Sequence, residues 1–252
     1  MTEEQTNVPV SHPEARHLRH NVVDAGRGLA WWTEAWPLFT RGAGIWIVMA
    51  LVMIVVLIVV GLIPVLGGLA ISLLLPVLVG GWMMAAHKVD EGGTPAVGDL
   101  FAGFREHLAP LVVLGALMVV ASLLIALVAA MLGAGAIVGL MAGEAQHSAN
   151  GVMASLTIGM LGVLVASALG LVVTMAIWFA PALVVFRSVA PVRAMKASLA
   201  ACLKNVVPFL VYGVLYIVAA IVASIPFGLG WIVLVPVLML TVYVSYRDVF
   251  GR

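Results

Sequence analysis

Charge is scarce in this chain. Lys, Arg, Asp and Glu make up 9% of its 252 residues, where an ordinary soluble domain carries about 25%. None of them, and no His, falls inside a long apolar run. Ion-coupled pumps and transporters place ionisable groups at the bilayer midplane, so this absence argues against ion-coupled transport. The net charge of +1 supplies no field for nucleic acid, and no nucleic-acid partner is expected. A single cysteine, Cys202, excludes an intramolecular disulfide and a cysteine-based zinc site. The polar N-terminal stretch lacks the apolar core of a cleaved signal peptide, so the first apolar run is expected to act as an uncleaved insertion signal. A G-x-S-x-G elbow, an H-E-x-x-H pair, facing carboxylates and a phosphate-binding glycine loop are also missing. On that ground an enzyme is disfavoured, and no catalytic residue, cofactor or metal site is assigned.

What is present is apolar. Hydrophobic residues make up 64% of the chain, against about 45–50% in soluble domains. They fall into runs long enough to cross a core of about 30 Å at 1.5 Å per residue. Spans are expected at about 42–63, 67–86, 108–142, 151–186, 206–227 and 228–246. The fold class is an all-α membrane protein: six transmembrane helices arranged as three hairpins, each preceded by a short interfacial amphipathic helix. Residues 1–27 read as a mostly disordered cytoplasmic tail, and 28–252 as a single six-helix transmembrane domain. The two middle runs would each be about 50 Å long as straight helices, more than a core needs. They tilt, break near Gly133-Ala134-Gly135 and Pro181, or project outward.

The segments between spans carry the remaining signals. In the tail, His17 and His20 are one helical turn apart, but a bare pair is not a metal site. Trp32, Trp36 and Phe39 share one helical face, which suits an interfacial anchor better than a ligand platform. The interfacial anchors are assigned to Trp31, Trp32, Trp36, Phe101 and Phe104. In the loop 87–107, Asp99 is expected to cap a short helix bearing Phe101, Phe104 and Leu108. Its acidic residues Asp90, Glu91, Asp99 and Glu106 read as solvated, with no metal-binding spacing. Prolines recur at Pro37, Pro110 and Pro208, each read as opening the first span of a hairpin. Pro76, Pro181 and Pro236 recur in the second spans, and the two sets together suggest a threefold internal repeat. Small residues recur every four positions at Gly135, Gly139 and Gly143, and at Gly162, Ala166 and Gly170. Such rows pack helices in lipid, either within the middle hairpin, which is favoured, or between copies of a homo-oligomer.

The stretch from Phe186 to Pro208 concentrates base. Val192, Met195, Leu199, Leu203 and Val206 form an apolar face opposite Arg193, Lys196 and Lys204. This is the pattern of a helix lying on anionic lipid. Arg187, Arg193, Lys196 and Lys204 are the candidate anionic-lipid contacts, with ordinary positive-inside anchoring as the plainer reading. In a six-span chain all twelve Lys and Arg fall on one side, which places both termini in the cytoplasm.

Gly26-Arg27-Gly28, Trp31-Trp32-Thr33-Glu34-Ala35-Trp36, Phe39 and the loop from Pro95 to Phe104 resemble a family of uncharacterised proteobacterial multi-pass inner-membrane proteins. The resemblance covers nearly the whole chain. It implies a bacterial inner-membrane location and supplies no functional residue. The expected partners are membrane lipids, with a homo-oligomer or a membrane-protein partner also open. The expected role is a non-enzymatic membrane scaffold or lipid- or partner-interacting component; the alternative is permeation of a neutral or apolar solute. A reporter fused after Arg252 should be active only in the form that requires the cytoplasm, and activity outside the cell would refute this topology.

Overall fold

The computed structural model describes residues 20–64, 66–145 and 149–251. Most of the expected N-terminal tail, His17 included, lies outside them. Among the described residues there are ten α-helices and no strand. In chain order they are α1 (Arg27–Thr40), α2 (Ala43–Gly61), α3 (Leu66–Asp90), α4 (Ala102–Glu106), α5 (Leu108–Ala145), α6 (Ala149–Trp178), α7 (Ala180–Arg187), α8 (Pro191–Lys204), α9 (Val206–Ser224) and α10 (Trp231–Phe250). A 3-10 turn, Val97–Phe101, precedes α4. Six segments are long and apolar enough to cross a membrane: α2, α3, α5, α6 with α7, α9 and α10. The protein is therefore an all-α membrane protein with six candidate spans.

The two long runs differ in whether they break. α5 passes through Gly133 and Gly135 without a break. The second run breaks at Phe179, two residues before Pro181. Proline has no N–H to donate, and its ring crowds the carbonyl four residues earlier, so the ladder opens here. Ser198 of α8 closes the gap. Its hydroxyl accepts from the Phe179 N–H at 3.0 Å and donates to the Met175 carbonyl at 2.7 Å. A side-chain hydroxyl thus stands where the backbone bond from residue 179 to residue 175 would run. In an apolar surrounding neither group could be left unpaired cheaply.

α8 also departs from its expected orientation. Its buried face is Ala194, Ser198, Ala201 and Cys202, not the row Val192, Met195, Leu199, Leu203 and Val206. Small side chains let α8 approach α6 closely, while Val192 and Leu203 stay about half exposed. Burial pushes the Cys202 thiol up to about 12, so it stays protonated. At the end of α8, buried Asn205 accepts from the Val23 N–H at 2.8 Å. Its amide donates to the carbonyls of Asn21 and Ala201. The chain before α1 is thereby stitched to the α8–α9 junction.

Two local expectations change. Asp99 caps from a different position than expected: it lies inside the 3-10 turn that leads into α4 and reaches back to the residue before that turn. Its carboxylate accepts from the Ala96 N–H at 2.8 Å and pairs with Lys88 at 3.1 Å. Pro37 lies inside α1, and the first span, α2, opens only at Ala43, after Arg41 and Gly42. The turn after α3 has a Schellman geometry: Gly93 N–H donates to Lys88 O, Gly92 N–H to Val89 O, and Gly92 has φ +90°. Close helix packing elsewhere depends on Gly81, which sits directly against the Leu100 carbonyl.

Ser198→Ala removes the hydroxyl and leaves the Phe179 N–H and Met175 C=O unpaired. Loss of about 1–3 kcal/mol is expected, measured by thermal or denaturant unfolding in detergent. Unchanged stability would mean that this bridge contributes nothing.

Candidate functional site

Nine basic residues are described, from Arg27 to Arg247, and their contacts gather at one end of the bundle. The gathering point is Arg247, in the last turn of α10. Its Nη1 donates to Asp90 Oδ1 at 2.7 Å and its Nη2 to Glu34 Oε2 at 2.8 Å. Asp90 ends α3 and Glu34 lies on α1, so one guanidinium ties three helices together. Glu34 also pairs with Arg27 at 2.9 Å. Arg27 Nε donates to Asp248 Oδ2 at 2.7 Å, and the Trp31 indole N–H donates to the same oxygen at 2.9 Å. The hydrogen bond to Asp248 leads in holding the Arg27 guanidinium above the usual arginine value. Burial opposes it, and the charges of Asp248 and Glu34 reinforce it.

The network extends through Tyr243. Its hydroxyl donates to Asp90 Oδ2 at 3.0 Å and lies 3.1 Å from His87 Nδ1. Asp90 is 13% exposed and Arg247 21% exposed, so water screens this lattice only in part. His87 opens onto a recess of about 490 Å³, whose polar walls are Lys88, Glu91, Glu106 and His107 and whose apolar wall includes Phe186. Among the described residues no three His, Cys, Asp or Glu side chains converge as metal ligands.

A second cavity is almost wholly apolar. A groove of about 700 Å³ runs between α9 and α10, open to the side. Ala219, Val222, Ala223 and Leu234 line it, and Trp32 and Trp36 of α1 roof it. The Trp32 indole N–H is buried without a partner.

The expected site residues separate by role. Arg187 Nη2 donates to the Phe250 carbonyl at 2.8 Å, so it secures the end of α10. Arg193, Lys196 and Lys204 are exposed on α8. Trp31 is not a lipid-facing anchor: it is fully buried, and its ring packs on Phe209 at 5.2 Å. Its place on the inward row of Gly28, Ala35 and Leu38 is the reason. Phe39, read on the same outward face as Trp36, is also buried. Trp32 stacks on Tyr212 at 5.3 Å, and Trp36 is half exposed. Phe101 and Phe104 are partly buried against the core, 6.1 Å apart. Sequence reading missed the lattice itself. In sequence Asp90 reads as a solvated loop residue, Arg247 only as one of the bases that orient the chain, and Glu34, Tyr243 and Asp248 carry no site role. The available signal was two oppositely charged residues side by side at the end of an otherwise apolar run.

Fold and composition define a multi-pass helical membrane protein. The chain is 27% identical to a probable inner membrane protein of Burkholderia thailandensis over 253 aligned positions, covering 91% of this chain and 93% of that protein. That likeness supports a membrane-protein family. No family model matches the chain, and no solved structure matches it.

Replacing Arg247 by Met should remove the cation that Glu34 and Asp90 share and leave Glu34 to Arg27. A loss of about 2–3 kcal/mol is expected, below the fully buried case because the pair is partly wet. Adding Asp90→Asn should recover part of it, as read by unfolding of both variants in detergent. No recovery would mean that the two residues are not coupled.

Proposed function

We propose that this protein is a non-enzymatic component of the bacterial inner membrane that acts by holding anionic lipid against α8. The reading rests on one observation: α8 docks edgewise. Its Ala194–Ser198–Ala201 row faces the protein, which turns two flanks outward. One flank carries Val192 and Leu203, each about half exposed. The other carries Arg193, Lys196 and Lys204, all exposed. A helix held by its edge can lay the first flank on acyl chains and present the second to phosphates. Each base near an anionic surface contributes on the order of 1 kcal/mol.

The topology that accompanies this reading has both termini in the cytoplasm. Three hairpins, α2–α3, α5 with α6–α7, and α9–α10, are each preceded by a short helix: α1, α4 and α8. All described basic residues lie in or beside these short helices or at the ends of spans on one side, which supports the positive-inside orientation. The inner-membrane location is carried from the Burkholderia relative.

A second reading, permeation of an apolar solute, draws on the groove between α9 and α10. It is the weaker one, since Trp31, Trp46, Trp82 and Leu240 fill the bundle centre.

In nanodiscs or detergent, native mass spectrometry should find phosphatidylglycerol or cardiolipin retained over phosphatidylcholine. Changing Arg193, Lys196 and Lys204 together to Gln should reduce that preference at least tenfold while leaving thermal unfolding unchanged. An unchanged preference would sink the reading.

A further inference from the structure

The three hairpins differ in reach. A Cβ on Gly80 would meet Leu111, and one on Gly115 would meet Leu73, so α3 and α5 run antiparallel. The start of α3 at Leu66 is then level with about residue 123 of α5, which continues for about 22 residues, on the order of 33 Å. α6 accompanies it, with Ser155 at Gly139 and Leu132 at Gly162. α10 reaches no further than α3. Tyr243 meets His87 and Arg247 meets Asp90, so these two helices run side by side in the same direction. That register sets Trp231, the start of α10, level with about residue 75 of α3. The turns of α2–α3 and α9–α10 therefore stop about 33 Å or more short of the α5–α6 turn.

The turns differ in chemistry as well. The α5–α6 connection holds Glu144, Gln146, His147, Ser148 and Asn150. Leu62-Ile63-Pro64-Val65-Leu66 and Ile225-Pro226-Phe227-Gly228-Leu229 hold no polar side chain. Leu62, Ile225 and Phe227 are at least 74% exposed. Turn N–H groups pair inside the protein: Ile63 donates to Val60 O, Gly67 to Ile63 O, Leu229 to Pro226 O and Gly230 to Ala223 O. Pro64 and Pro226 bring no N–H. Even the Trp231 indole is served, by Ser224 Oγ at 3.1 Å, and that hydroxyl donates to Ala220 O at 2.8 Å. Hydrocarbon demands such internal pairing, and water does not.

One bilayer face cannot meet all three turns. Residues 108–142 of α5 carry no charge, and they make about 52 Å at 1.5 Å per residue. Leaning by about 35°, they fit the roughly 40–45 Å of a whole bilayer, headgroups included. The polar α5–α6 turn then lies at the far face, and both short turns stop about 27 Å below it, within the hydrocarbon. The opposite placement sets the apolar short turns at the far face. It leaves Leu124, Leu127, Met131, Val138 and Met141 of α5, 58–68% exposed, bare in water.

We infer that only the α5–α6 hairpin crosses the bilayer, and that α2–α3 and α9–α10 are re-entrant hairpins whose apolar turns contact acyl chains inside it. A re-entrant hairpin returns the chain to the side it left. The segments that carry base therefore stay on one side, as in the proposed topology. The inference concerns depth alone and stands apart from lipid binding at α8.

Spin labels in proteoliposomes test it. Cys202 is replaced by Ser, and single cysteines are introduced by Leu62→Cys, Phe227→Cys, Leu127→Cys and Asn150→Cys. Power saturation compares collisions with oxygen, which concentrates in lipid, and with a water-soluble nickel chelate. Oxygen should prevail at least fivefold at positions 62, 127 and 227, and nickel at position 150. Nickel access at 62 or 227 equal to that at 150 overturns the inference, because that turn is then in water. So does nickel access at 127, which means that the α5–α6 pair projects past the bilayer. Exclusion of both reagents at 62 and 227 overturns it too, since protein rather than lipid then covers the turns. Ile63→Cys and Ile225→Cys repeat the reading at neighbouring exposed positions. Size-exclusion chromatography before reconstitution confirms that each variant is folded. The readout does not depend on which side is cytoplasmic, so failure of the orientation leaves it intact.

Discussion

Arg247 is the fixed point of the bundle. A guanidinium is permanently charged and cannot escape an apolar site by losing its proton. At the end of a span it has to be matched, and Glu34 and Asp90 match it from two other helices at 2.8 and 2.7 Å. The position of α1 follows. α1 is too short and too polar to cross a membrane, yet it is pinned by Glu34 on one side and by Trp31 and Arg27 to Asp248 on the other. Once α1 lies there, Trp32 and Trp36 necessarily roof the groove between α9 and α10. The apolar groove is thus a consequence of an ionic arrangement elsewhere.

A second constraint works on the backbone. In an apolar surrounding every N–H and C=O needs a partner within the protein. Pro181 breaks one ladder, and α8 has to bring a hydroxyl to the gap. That requirement selects which side of α8 faces inward. Ser198 must point at Met175 and Phe179, so Ala194, Ala201 and Cys202 face inward with it. The basic residues are left outward as a result. The proposed lipid contact is therefore set by a proline in the preceding helix.

The elements themselves were legible in sequence, because length and hydropathy are properties of a contiguous stretch. The run from Gly42 to Ile63 and the helix from Ala43 to Gly61 differ only at their ends. Faces were not legible where a helix is apolar on every side. Trp31 and Trp32 are adjacent and equally hydrophobic, and only the contact with Asp248 separates the buried one from the half-buried one. The small-residue rows divided in the same manner. Gly139 and Gly162 pack within the α5–α6 pair, while Gly135 and Gly170 face open space. Spacing alone gives both halves of each row the same meaning.

By itself the amino-acid sequence determined a charge-poor, helical membrane protein with six spans' worth of apolar chain and its bases confined to a few segments. Those features add up residue by residue, and no distant partner alters them. Only the tertiary structure decided that Asp90 and Arg247, 157 positions apart, are partners. It alone decided that Ser198 mends the break at Phe179, that Arg187 holds the end of α10, and that α5 runs straight through its glycines. Each of these depends on which groups meet across the fold. In a chain so uniformly apolar, few residues mark the meeting places in advance.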